Sequence, residues 1–129
     1  MDLLGGIQMT PSQIHEDAER RLAVHAANMG ELLDGMTGED WGTYVDCEDQ
    51  FLAYPTQCTW WRPDIFRIYL AEGEHCEYLD VYVRDWDEPR WVVYHLELLA
   101  GGTDILVSHS SDVMHFAVAM MKAVADISY

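Results

Sequence analysis

The stretch that decides the fold is CEYLDVYVRD, residues 76–85, together with RWVVYHLELL, residues 90–99. In the first segment the residues alternate, so that one face of an extended chain carries Leu79, Val81 and Val83 and the other carries Tyr78, Asp80, Tyr82 and Arg84. The second segment sets Val92, Tyr94, Leu96 and Leu98 against Trp91, Val93, His95 and Glu97. This period of two residues predicts two strands, and the short connection DWDEP, residues 85–89, makes them antiparallel.

Further strands are predicted on both sides of this hairpin. Residues 64–71, DIFRIYLA, are rich in β-branched and aromatic side chains, and residues 103–108 follow a tight turn at Gly101 and Gly102. Two weaker segments, residues 41–47 and 50–54, are also interpreted as short strands. Because the connections are short, we expect an antiparallel meander of about four to six strands.

A helix is predicted at each end of the chain. Thr10, Pro11 and Gln13 form a capping-box pattern, and an apolar stripe with helical spacing then predicts a helix over residues 11–34. The second helix, residues 111–127, is apolar nearly all round, interrupted only by His115, Lys122 and Asp126. A helix without a polar face is buried on more than one side, either in the core or in a homodimer interface.

The order helix, strands, helix is typical of an α+β two-layer sandwich, with an antiparallel sheet flanked by an N-terminal and a C-terminal helix. We expect one domain over residues 1–129, of which residues 1–9 form a flexible N-terminal tail. No repeat, linker or low-complexity segment interrupts the sequence.

The strongest compositional signal is the charge. Twenty-three Asp and Glu residues against seven Lys and Arg give a formal net charge of −16. This balance argues against direct binding to nucleic acid, which needs cations facing the phosphates. It favours instead high solubility, a high-salt environment or a basic partner.

Other features bound the cellular setting. The chain has no apolar stretch of membrane-spanning length and lacks the positively charged start of a signal peptide. Its cysteines, Cys47, Cys58 and Cys76, are odd in number and form no C-x-x-C pair, which fits a reducing compartment. We therefore expect a cytoplasmic protein without membrane contact.

No motif predicts catalysis or a cofactor. The candidate ligands His75, His109 and His115 show no H-E-x-x-H spacing, and the glycine pairs do not make a phosphate-binding loop. Acid pairs such as Asp85 and Asp87 arise by chance in a chain so rich in carboxylates. The sequence therefore predicts neither an enzyme, nor a metal site, nor a bound cofactor.

Two acid-rich runs, residues 34–49 and 72–88, are candidates for a contact surface. The second run combines the higher density of acids with aromatic residues on the polar face of its strand, a composition favoured at interfaces. The predicted partner-binding residues are Glu74, Glu77, Tyr78, Asp80, Tyr82, Asp85, Trp86, Asp87 and Glu88.

In its small size, strong acidity and lack of a catalytic motif, this chain resembles the inhibitors encoded by phages and mobile elements. Toxin-immunity proteins and acidic secretion chaperones share the same composition. The resemblance lies in composition and not in any motif. It implies a binding protein that inhibits a basic, nucleic-acid-handling partner, and such a protein could do so by acting as a DNA mimic.

One alternative is a dimeric acidic chaperone or assembly protein joined through the C-terminal helix. The other is a small ligand-binding domain or enzyme with a pocket between sheet and helices.

Overall fold

Three helices and five strands make up the fold of the computed structural model, which describes residues 9–38, 40–84 and 88–127. Along the chain these are α1 (Pro11–Met36), α2 (Trp41–Ala53), β1 (Gln57–Arg62), β2 (Ile65–Ala71), β3 (Cys76–Arg84), β4 (Glu88–Leu98), β5 (Gly101–Leu106) and α3 (Asp112–Ile127). The predicted α+β class with an antiparallel meander is confirmed. Most of the predicted tail, residues 1–8, and the turn residues 85–87 lie outside the described residues.

The strands follow one another across the sheet in the order β1-β2-β3-β4-β5, with every neighbouring pair antiparallel. The predicted alternation in β3 and β4 is confirmed, because Leu79, Val81, Tyr94 and Leu96 are all fully buried against the helices. Strand β1 was not predicted as a strand. Its inward residues Cys58 and Trp60 pack against the core, and Trp60 meets Phe66 edge-on at 5.2 Å between ring centroids.

The first helix begins as its capping pattern predicts. The Thr10 hydroxyl accepts a hydrogen bond from the Gln13 backbone N–H at 3.1 Å, and the Gln13 side chain accepts one from the Thr10 N–H at 2.9 Å. Together these bonds satisfy two of the three free N–H groups at the helix start, since Pro11 at the first helical position has none. Helix α1 ends at Met36, two residues beyond the predicted end.

The prediction of strands at residues 41–47 and 50–54 is wrong, because these residues form helix α2. The Asp40 carboxylate caps this helix by accepting from the Gly42 N–H at 3.0 Å and from the Thr43 hydroxyl at 2.9 Å. Tyr44 and Phe51, seven residues apart, lie on the less exposed side of the helix. The sequence did contain a signal for this helix: the N-cap residue Asp40, followed by apolar residues at helical and not at alternating spacing.

The core lies between the helices and one face of the sheet. Helix α3 supplies a large part of it, because its buried side chains pack within a single chain against α1, β3 and β4. These buried residues are Val113, Met114, Phe116, Ala117, Met120 and Met121, whereas His115 and Lys122 are exposed. Phe116 meets Phe51 edge-on at 4.8 Å between ring centroids, which ties α3 to α2.

Truncation of this core should be costly. Replacing Phe116 or Met120 by Ala should each lower the free energy of unfolding by about 2–5 kcal/mol, because both side chains are fully buried and would leave cavities. Urea unfolding monitored by circular dichroism measures the loss. A change below about 0.5 kcal/mol at both sites would contradict the position of α3 in the core.

Helices α1 and α2 are in close contact at Gly35. A Cβ atom placed on Gly35 would lie 2.1 Å from Cys47 Sγ and 3.0 Å from Cys47 Cβ, so a larger residue requires the Cys47 side chain to rotate and the two helices to move apart by a few tenths of an ångström. At Gly42, in the first turn of α2, the nearest atom to such a Cβ is Asp40 Oδ1 at 3.5 Å. The two glycines therefore differ in the space around them.

This difference predicts opposite effects for the same substitution. Gly35→Ala should lower the free energy of unfolding by about 1–3 kcal/mol, because overpacking outweighs the helix propensity that alanine adds. Gly42→Ala, the matched control, should leave it unchanged or raise it by up to about 1 kcal/mol. Urea unfolding of both variants is the measurement. Equal stability of Gly35→Ala and the original protein would show that the helices do not meet here.

Candidate functional site

The central strand β3 sends two buried carboxylates to opposite sides of the sheet. Glu77 points towards the helices and Asp80 towards the face that the helices leave uncovered, called the open face below. Only 4% of Glu77 and 3% of Asp80 is exposed. The two residues were predicted to share one partner-binding surface, but the structure separates them and surrounds each with groups of its own chain.

Glu77 is held by residues from α1, β4 and the turn before β3. Its Oε1 accepts hydrogen bonds from the Tyr94 hydroxyl at 2.5 Å and from His25 Nε2 at 2.9 Å. Its Oε2 lies 3.1 Å from His75 Nε2 and 3.7 Å from Arg21 Nη1, and these two nitrogens are themselves 3.2 Å apart. Of these residues, Glu77, His25 and Arg21 border a cleft of about 290 Å³ beside α1. Both carboxylate oxygens are thus occupied by groups of the same chain.

The surroundings of Glu77 keep it ionised. Burial by itself raises the pKa of this carboxyl, but hydrogen bonds from His25 and Tyr94 outweigh it and lower the pKa from the ordinary 4.5 to about 2. This cluster was not predicted from the sequence. A signal was present in α1, where Asp17, Arg21 and His25 follow one another at intervals of four residues on one side of the helix.

Asp80 is held by a second set of groups on the open face. Arg67 donates two hydrogen bonds to its carboxylate, at 2.8 and 3.1 Å, and His95 Nε2 lies 3.2 Å from Asp80 Oδ2 without hydrogen-bond geometry. His95 Nδ1 lies 2.5 Å from Asp104 Oδ1. Burial lowers the pKa of His95, but the two carboxylates outweigh this effect and the pKa is raised. The cluster therefore favours a charged imidazole between two anions.

Aromatic rings surround this ion cluster. The Arg67 guanidinium lies between two rings, 4.3 Å from the Trp61 centroid and 4.2 Å from that of Tyr78. Tyr78 also stacks on His95 at 4.6 Å, and its hydroxyl donates to Glu97 at 3.0 Å. Tyr82 packs beside Trp91 at 5.6 Å between ring centroids. Tyr78, Tyr82 and Trp91 therefore lie on one face of the sheet.

The strand register arranges the open face in rows that cross the sheet. One row runs through Gln57, Tyr69, Tyr78, His95 and Asp104, and the next through Thr59, Arg67, Asp80, Val93 and Leu106. Several large apolar side chains on this face are solvent-exposed: Trp61 by 53%, Trp91 by 42% and Leu106 by 67%. Trp61 and Leu106 were not predicted here, because the register of β1 and β5 follows only from the pairing.

The remaining predicted contact residues lie around the turns of β3. Glu74 is exposed in the turn between β2 and β3. Asp85, Trp86 and Asp87 lie outside the described residues, and Glu88 begins β4 with a side chain that is not described. The partner-binding role of this group stays a prediction.

The other acid run lies on the helices. From Leu22 to Thr56 the sequence contains no Lys or Arg. The acids exposed on this helical hairpin are Glu31, Asp34, Asp40, Asp46 and Asp49. With them lies Trp41, which is 75% exposed and stacks on Tyr44 at 5.6 Å. This surface of α1 and α2 is called the acidic hairpin below.

The cysteines and the possible metal ligands of residues 9–38, 40–84 and 88–127 form no reactive centre that the geometry supports. Cys47, Cys58 and Cys76 are unpaired and partly buried, and burial raises the pKa of the Cys58 thiol to about 11, which disfavours a reactive thiolate. Among the described residues, no group of three or more His, Cys, Asp or Glu side chains could hold a metal ion. None of the helices in the described part of the chain is long and apolar enough to cross a bilayer.

The pairing of Glu77 predicts a specific dependence of stability on pH. Its folded-state pKa lies below the ordinary value, so the ionised form stabilises the fold above about pH 4.5, and this stabilisation is lost as the pH falls towards 2. Glu77→Gln should therefore lower the free energy of unfolding by roughly 2–4 kcal/mol at about pH 6, and the difference from the original protein should shrink as the pH falls.

Urea unfolding at several pH values measures this difference. Glu16→Gln, at an exposed position of α1, is the matched control and should show a small difference at every pH. A loss in Glu77→Gln that stays constant down to about pH 2.5 would contradict the proposed pairing of the carboxylate.

Comparison with known proteins does not add to this geometry. No protein-family model, curated protein or solved structure matches the chain.

Proposed function

We propose that this chain is a non-enzymatic acidic binding protein that inhibits or neutralises a basic, nucleic-acid-handling protein. The observation that carries the proposal is the formal net charge of −16 on a folded chain of 129 residues. Charge of this density speeds association with a basic surface and excludes acidic competitors. The protein would then act by occupying the surface that its partner uses for nucleic acid.

Ion pairs within the chain support this proposal, because they engage part of the small positive charge. Arg21 pairs with Asp17 at 3.0 Å and Arg67 pairs with Asp80 at 2.8 Å, whereas Arg20, whose side chain is 73% exposed, makes a surface pair with Asp17 at 3.0 Å. Two of the seven Lys and Arg side chains are thereby held in partly buried pairs. The acids exposed on the acidic hairpin face solvent with no Lys or Arg in the same stretch of sequence.

The arrangement of the acids also suits a DNA mimic. Duplex DNA presents about one negative charge per 1.7 Å of axis on a stiff scaffold. Here exposed carboxylates are mounted on regular helices, at Glu16, Glu19, Glu31 and Asp34 of α1 and at Asp46 and Asp49 of α2. Helices held by a packed core keep such charges at fixed separations.

The two alternative functions have weaker support. A dimeric chaperone joined through α3 would need an apolar surface on that helix, but most of its large apolar side chains pack inside one chain. Two copies that each carry −16 also repel one another. A small-ligand site would use the cleft beside Glu77, where the carboxylate oxygens are already in contact with His25, Tyr94 and His75.

A pull-down from host lysate at low and high salt tests the proposal. A basic protein should be captured at low salt, lost at high salt and displaced by added duplex DNA. Capture that does not respond to salt would instead support the chaperone alternative. Capture that DNA does not compete would contradict a partner that handles nucleic acid.

Charge reversal should locate the contact. Changing Asp85, Asp87 and Glu88 to Lys should weaken binding of the captured partner at least about tenfold, because repulsion replaces attraction across the interface. Stability should be unchanged or improved, since self-repulsion falls. A matched triple, Glu31, Asp46 and Asp49 to Lys, makes the same charge change on the acidic hairpin. Affinity at two salt concentrations and thermal melting are the readouts, and a loss only in the matched triple would move the contact to the helices.

A further inference from the structure

We infer that His95 is a pH-dependent link that holds the edge strand β5 to the centre of the sheet while its imidazole ring is charged. The inference goes beyond the proposed function and does not depend on it. It is carried by one juxtaposition, in which the two ring nitrogens of His95, on β4, face carboxylates on the two neighbouring strands: Asp80 of β3 and Asp104 of β5. Loss of one proton from the ring releases Asp104 and weakens the attachment of β5.

The contacts of the His95 ring require a proton on both nitrogens. Its Nδ1 lies 2.5 Å from Asp104 Oδ1, and its Nε2 lies 3.2 Å from Asp80 Oδ2. A neutral imidazole carries only one N–H, so one of its nitrogens would then direct a lone pair at a carboxylate. The Nε2 atom is also buried away from water and makes no hydrogen bond within the described residues. Only the charged ring is therefore attracted to both carboxylates at once.

The other groups around the ring also favour its charged form. His95 stacks on Tyr78 at 4.6 Å between ring centroids, and the face of an aromatic ring attracts a cation. The Tyr78 hydroxyl donates to Glu97, which places a further carboxylate beside this stack. Arg67 is the one cation here that opposes a charged His95, but it donates two hydrogen bonds to Asp80 and is neutralised by that carboxylate. The positive and negative groups of this cluster thus alternate from β2 to β5.

The loss of this link affects β5 more than β3. Strand β5 is at the edge of the sheet and pairs with β4 alone. The Asp104 side chain is 67% exposed, so it can turn into water once the ring no longer attracts it. Asp80 cannot do so, because it is buried and held by Arg67. Deprotonation of His95 therefore loosens the edge strand and leaves the central strands in place.

The direction of the pH effect follows from the same contacts. Burial lowers the pKa of His95, but Asp80 and Asp104 outweigh it, so the folded-state pKa lies above the ordinary 6.5. The stabilisation is therefore complete below about pH 6.5 and is lost as the pH rises through the folded-state pKa. This is the reverse of Glu77, whose contribution is lost as the pH falls.

Nuclear magnetic resonance of the isotope-labelled chain tests the state of the ring. The nitrogen shifts of His95 should show both ring nitrogens protonated at low pH, with a titration midpoint above 6.5. Asp104→Asn keeps the size of the side chain and removes its charge, so it should lower this midpoint. A midpoint at or below 6.5 in the original protein would overturn the inference, because the ring would then be neutral under ordinary conditions.

Amide hydrogen exchange measures the effect on β5. Protection of its amides relative to those of β2, corrected for the intrinsic pH dependence of exchange, should fall about fivefold or more from about one pH unit below the His95 midpoint to about one unit above it. In Asp104→Asn the protection should already be reduced at the lower pH and should change less than about twofold over the same range. Thermal melting should show that this variant is folded.

His15→Gln is the matched control, because His15 also contacts β5, at Thr103 Oγ1 over 3.2 Å, but does so from α1. This variant should retain the full pH dependence of β5 protection. If the dependence disappears in His15→Gln and persists in Asp104→Asn, the link lies on the helical side of β5 and the inference is wrong. Protection of β5 that does not change with pH in the original protein would also overturn it.

Discussion

Burial of the central strand on both of its faces is the constraint on which the rest of the structure depends. Every side chain from Glu77 to Val81 is buried, although this run contains two carboxylates. An unpaired charge at this depth would cost several kcal/mol, so each carboxylate requires partners from other elements. Glu77 recruits His25 from α1 and thereby ties the helical layer to the sheet. Asp80 recruits Arg67 and His95 and thereby ties β2 and β4 across the open face.

The parts of the fold that could be predicted are those with a local signal. Alternation identified β3 and β4, and the capping pattern at Thr10 identified the start of α1, because these signals lie within a few residues. Helix α2 was missed because its first turns contain Trp41, Thr43, Tyr44 and Val45, residue types that favour strands, and because an Asp N-cap alone indicates little. The ion clusters could not be predicted, since His25 and Glu77 are 52 residues apart in the sequence.

Excess acid and an ordered core coexist in this chain because the two are spatially separated. The buried carboxylates at Glu77 and Asp80 are paired with cations, histidines or a hydroxyl, whereas most acids on α1 and α2 face water, namely Glu16, Glu19, Glu31, Asp34, Asp46 and Asp49. Ion pairing inside the fold thus removes positive charge from the surface as well as stabilising negative charge in the interior. The paired arginines therefore affect both the packing of the interior and the electrostatic potential at the protein surface.

The order of the elements has a consequence for synthesis on the ribosome. Each strand pairs with its neighbour along the chain, so the sheet can assemble progressively as it emerges. Helix α1 packs against α2, which follows it directly, and also against the distant β5 and α3, where His15 reaches Thr103 at 3.2 Å across 88 residues of sequence. The part of α1 that β5 and α3 cover is therefore completed only after the whole sheet has been made. Until α3 has left the exit tunnel, that part of α1 is available to chaperones and to neighbouring nascent chains.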